Sequence, residues 1–139
     1  MLLYAELEPN SAKGRRAVHT IASVSSRGVL PAQAISEFLN VVRQRAPDAL
    51  DEAMAQVADY RNVFAIIPTD ADALLSTAAF ARRYRLEFWD AVIWQACAKG
   101  GASILLNENL QDGFTAEGVT VVNPFVDTSW ETVARRLGA

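Results

Sequence analysis

The sequence is poor in the residues that build strong nucleophilic or soft-metal sites. It has one cysteine, so no disulfide can form within the chain, and a reducing compartment fits. Cys97 lies in an apolar helical run with no histidine beside it to activate it, and reads as a core thiol rather than a nucleophile. The one histidine, His19, lacks the partners that a zinc site or a catalytic triad needs, and reads as structural or surface. No stretch approaches the roughly 18 unbroken apolar residues of a membrane span. The opening Met1-Leu2-Leu3-Tyr4-Ala5-Glu6 has no basic region followed by a long apolar core, so a signal peptide is not expected and a cytoplasmic location is. There is no Gly-rich phosphate loop, because Gly100-Gly101 follows a helical stretch and reads as a helix stop. Positive charge is not in excess either: 13 Lys and Arg stand against 16 Asp and Glu, a net charge of −3. That balance argues against coating nucleic acid along the whole surface. It leaves room for a local basic rim and suits an acidic pocket for a divalent cation.

What is present fits one domain spanning 1–139, with 51% hydrophobic and 21% charged residues. Leu2-Leu3-Tyr4-Ala5 is a short apolar run that reads as a strand or the tail of one. Asn10-Ser11 is a plausible N-cap for a helix to about Ser26. Gly28-Val29-Leu30-Pro31 reads as a very short strand stopped by proline. Ala34, Ile35, Phe38, Leu39, Val41 and Val42 then repeat at helical spacing, and Leu50, Ala53, Met54, Val57 and Tyr60 form a second stripe after the Pro47-Asp48 break. The run 63–67 reads as a strand, Thr69 or Asp70 caps a helix to Tyr84, and a further helix opens at Glu87 and runs to about Lys99. Strands are expected at 103–106 and 120–122, with a final amphipathic helix over 128–137. Short apolar strands separated by helices predict an α/β fold, a three-layer α/β/α sandwich on a short parallel sheet. Ligands of such sheets gather at the carboxyl ends of the strands.

Three acids stand out by position. Glu37 lies near the start of the helix after the 28–31 strand. Asp90 lies in the first turn of a strongly apolar helix, and Asp112 in the loop after the 103–106 strand. Carboxylates gathered at one sheet edge repel one another unless a cation sits between them, and hard oxygen ligands suit Mg²⁺ or Mn²⁺. Each acid also has an ordinary structural explanation, as a cap, a dipole partner or a turn residue. Arg15, Arg16, Arg43, Arg45, Arg82, Arg83 and Arg85 read as solvated helix faces, some of which could form an RNA-facing rim.

Ser36-Glu37-Phe38, Phe88-Trp89-Asp90-Ala91, the loop Asn107-Glu108-Asn109-Leu110-Gln111-Asp112-Gly113 and Val122-Asn123-Pro124-Phe125, in this order and spacing, resemble the PIN domain in its bacterial VapC-like toxin branch. The resemblance covers almost the whole chain. It implies a metal-dependent endoribonuclease in which metal-activated water attacks an RNA phosphodiester. It also implies a cognate antitoxin that holds the toxin silent, and a homodimer. Glu37 and Asp90 match two metal-site acids, and Asp112 matches an accessory acid. Two positions depart from the family. Its first strand carries an Asp-Thr-Asn-type motif just before a Leu-Leu-Tyr-Ala-like segment, and here the sequence begins at Met1-Leu2-Leu3-Tyr4-Ala5. Asn109 stands where the family has a fourth acid; its amide oxygen can reach a metal but brings no charge. One explanation is a misplaced start that truncates the first strand and leaves a gap in the centre of the sheet. The other is a degenerate relative that binds RNA or a protein without cutting. Both predict weak cleavage by this chain alone. A further alternative is an α/β protein of another class whose acids are all structural.

Overall fold

A computed structural model describes residues 1–25 and 27–137. Two of the predicted caps set helix starts. Ser11 Oγ accepts from the Gly14 N–H at 2.9 Å and opens α2 (Ala12–Val24), and Asp70 Oδ1 accepts from the Ala73 N–H at 2.8 Å and opens α5 (Ala71–Tyr84). The expected helix end at Ser26 falls outside the described residues. The other helices follow the apolar stripes: α3 is Ala32–Arg45, α4 is Leu50–Val63 after a 3-10 turn at Pro47–Ala49, α6 is Phe88–Lys99 and α7 is Asp127–Leu137. The strands are β1 (Val29–Pro31), β2 (Ala65–Ile67), β3 (Ile104–Leu106), β4 (Thr115–Ala116) and β5 (Val119–Val122).

The opening of the chain corrects the sequence reading. Leu2-Leu3-Tyr4-Ala5 is not a strand or the remnant of one; it lies in a helix, α1 (Leu2–Leu7). Leucine, alanine and glutamate are good helix formers. The helical turn lets Leu2, Leu3 and Leu7 pack together on Phe38, Val42 and Ala53 of α3 and α4. So short a helix draws its stability from that packing rather than from propensity. α1 turns into α2 so tightly that a Cβ on Gly14 would lie 1.7 Å from the Glu8 carbonyl oxygen.

The fold is mixed α/β, and among the described residues the strands fall into two sheets. β1 and β2 pair in parallel, with Leu30 opposite Ile66. β3 and β5 pair in parallel, with Leu105 opposite Val121, and β4 adds antiparallel to β5. β4 and β5 form a hairpin whose two turn residues, Glu117 and Gly118, both take positive φ as a tight primed turn requires. The apolar helix α6 packs against both sheets. Its Trp94 is fully buried among Phe80, Leu105, Val119 and Val121, and its indole N–H donates to the Ala116 carbonyl at 3.3 Å. Cys97 sits in the same core, where burial pushes its thiol up to about 11, as expected of an inert core thiol. No helix among the described residues is long and apolar enough to cross a membrane.

Candidate functional site

Pro31 ends β1 and the chain passes at once into α3, which places Glu37 in the second turn beyond the carboxyl end of that strand. Asp90 lies in the first turn of α6. α3 and α6 pack together, and the two carboxylates come close enough for Asp90 to push the Glu37 carboxyl up. Removal from water is the larger cause for both acids. Each lies above its ordinary carboxylate value, with Glu87 adding like charge to both.

Glu87 is the acid that sequence reasoning passed over as a site residue. It is the N-cap of α6: its Oε2 accepts from the Trp89 N–H at 2.9 Å and from the Asp90 N–H at 3.4 Å. The capping role that would explain Asp90 therefore belongs to Glu87. The Asp90 carboxylate accepts no hydrogen bond among the described residues. Glu37 has one long contact, from Gln33 Nε2 to its Oε1 at 3.4 Å. The signal for Glu87 was its place three residues before Asp90, immediately ahead of an apolar helix.

The other two predicted positions lie in the loop after β3. Asp112 is tied into the fold: Oδ1 accepts from the Asn123 N–H at 2.7 Å, and Oδ2 accepts from the Ser129 hydroxyl of α7 at 2.5 Å. Asn109 is exposed, and its N–H donates to Asn107 Oδ1 at 2.7 Å in a turn that also takes the Leu110 N–H. In the same loop Glu108 pairs with Lys13 of α2 at 3.2 Å, and the Lys13 ammonium lies over the Tyr4 and Phe125 rings. The structure thus brings Glu37 and Asp90 together and holds Asp112 against β5 and α7. Among the described residues no three His, Cys, Asp or Glu side chains converge closely enough to enclose a metal ion.

The Glu37–Asp90 pair still fits a divalent cation that keeps most of its water. Mg²⁺ is commonly held by one or two carboxylates together with substrate phosphates, and two partly desolvated like charges are what a cation would relieve. A cleft of about 450 Å³ lies elsewhere, lined by Thr69, Asp70, Ser76 and Lys99 among others, and contains neither Glu37 nor Asp90. The acid pair instead lies on open surface, with Glu37 exposed and Asp90 partly so, which suits a long substrate better than a small enclosed one. No protein-family model matches the chain, and no curated protein matches it.

Proposed function

We propose that this chain is a PIN-type, VapC-like ribonuclease that uses Mg²⁺ or Mn²⁺ to cut RNA, and that its two sheets are parts of one three-layer α/β/α sandwich. The observation that carries the reading is Asp90. It sits at a helix start whose cap is another residue, without a hydrogen-bond donor among the described residues, beside Glu37. Partial desolvation and neighbouring like charge raise this acid, and a bound cation would relieve both.

Glu37 and Asp90 would hold the ion, with Gln33 donating to Glu37 Oε1 at 3.4 Å. When bound, such a cation acidifies water and offsets the charge that builds on a phosphodiester. Gln33 restrains the Glu37 carboxylate, and the Glu87 cap fixes the first turn that carries Asp90. With both carboxyls raised, protons compete with the cation for them just above the ordinary carboxylate range. A cognate antitoxin and a homodimer belong to the same proposal.

A second reading has its own support. Asp112 is committed to Asn123 and Ser129 and Asn109 brings no charge, so the fold could serve as a module that binds RNA or protein without cleavage. Thermal melting with millimolar Mn²⁺ tests the metal site. The native protein should melt higher with Mn²⁺ than in EDTA, and Glu37→Gln should lose most of that shift. A melting temperature indifferent to Mn²⁺ contradicts a metal-dependent nuclease. Saturable RNA binding without turnover would establish the module instead.

A further inference from the structure

Trp89 is half exposed, at 49%, while Trp94 five residues later on the same helix is fully buried. It directly precedes Asp90, and its backbone is held by the Glu87 carboxylate at 2.9 Å. Its ring meets the Phe88 ring edge to face, at 5.2 Å and 80°, rather than in a parallel stack.

A cationic turn lies just before it. Arg82 and Arg83 fill the last turn of α5, and Arg85 closes that helix in the left-handed region at φ 55°. All three are exposed, and none forms a salt bridge among the described residues. Arg83 lies over the Tyr84 ring, 5.2 Å from its centroid. Arginines without a salt bridge among the described residues and an exposed indole therefore follow one another through the α5–α6 turn. Single-stranded nucleic acid is bound by that combination: cations follow the phosphates, and an aromatic face takes an unpaired base.

We infer that the α5–α6 corner is a docking lane for single-stranded RNA, with an unpaired base stacked on Trp89 and neighbouring phosphates against Arg82 and Arg85. The inference takes its choice of polymer from the ribonuclease reading, but it does not require turnover. Adjacent helical residues diverge by about 100° around the axis, so Asp90 leaves the helix in a different direction from the indole that would take the base. Trp89 is a positioning residue here, not a catalytic one.

The test is binding of a short labelled, unstructured RNA to the full chain in EDTA, where cleavage plays no part. Trp89→Ala should weaken binding by about 5- to 160-fold, the range expected for losing one stacked base, and Trp89→Phe should restore most of it. Arg82→Gln and Arg85→Asn, the latter tolerant of a left-handed position, should each flatten the salt dependence by ~0.7 in log–log slope. Double-stranded RNA of the same length should respond weakly to Trp89→Ala. The lane is overturned if the native chain does not bind the single strand, or if Trp89→Ala binds it equally well. It is also overturned if Trp89→Ala changes the sedimentation state, since the indole would then be a protein contact. Metal-dependent cleavage with an unchanged KM in Trp89→Ala would leave the nuclease standing and remove the lane. Trp89-dependent binding without cleavage would do the reverse.

Discussion

The first turn of α6 and the loop after β3 both carry acids, and they treat the charge in opposite ways. In the loop, Asp112 is met by the Asn123 N–H and the Ser129 hydroxyl, and Glu108 is met by Lys13. At the start of α6, Glu87 takes the available N–H donors, while Asp90 is left facing Glu37 with both carboxyls raised. A satisfied acid is explained by the fold it stabilises. A pair raised by partial desolvation and like charge is not explained by the fold in that way, and the proposed cation is what would account for it. The contrast separates two acids that look alike in sequence, since both sit where helix or turn chemistry favours Asp.

Removing the charge at each place tests the contrast. The largest effect is expected at the pair. Asp90→Asn or Glu37→Gln should reduce RNA cleavage by more than the ~10–100-fold that loss of an outer-shell partner costs, while raising the melting temperature of the metal-free protein at neutral pH. That opposition of activity and stability follows from removing repulsion in a partly desolvated site. Asp112→Ala should behave the other way. It should cost about 1 kcal/mol through the lost hydrogen bonds that anchor α7, seen as a melting point lower by a few degrees, with less effect on cleavage than Asp90→Asn.

A pH titration of stability gives a smaller signal of the same origin. Glu37 and Asp90 have folded pKa values raised above their ordinary 4.5 and 3.8. Just above those values the folded state holds more protons than the unfolded state, so the pair's contribution to stability falls as pH rises through that window. Denaturant melts of native and Asp90→Asn protein should differ in slope there and run parallel well below it. The smallest change is expected for Glu87→Gln. Its amide oxygen can still cap α6, so stability should move by less than the ~1 kcal/mol of losing a cap outright. Removing its charge should bring both pair carboxyls down toward their ordinary range, visible by NMR titration.

The helices were legible because their signals are local. Phe38 and Val42 recur at the helical period and are buried together, and Ser11 and Asp70 make the caps expected of them. The strands were legible only as apolar runs. Pairing is a long-range property, so nothing in Val29-Leu30-Pro31 or Ile104-Leu105-Leu106 announced that their sheets would be separate. The two-residue strand β4 is too short to leave a pattern, and Glu117-Gly118 is a weaker hairpin signal than Asn-Gly. Leu2 to Ala5 misled because a four-residue apolar run fits a buried strand and a packed helix equally well; contact with Phe38 and Val42 chose the helix. Glu37 and Asp90 were singled out from their places after a strand and at a helix start, and the structure brings these two together. Glu87 was missed because capping depends on backbone geometry that separates it from Asp90.

The most direct test of the central claim is cleavage of an unstructured RNA by native, Asp90→Asn and Asp112→Asn protein, each with Mn²⁺ and with EDTA. The Glu37–Asp90 account predicts weak but Mn²⁺-dependent cutting by the native chain, near-complete loss in Asp90→Asn and a smaller loss in Asp112→Asn. Equal cutting by native and Asp90→Asn protein, or cutting that persists in EDTA, would contradict it.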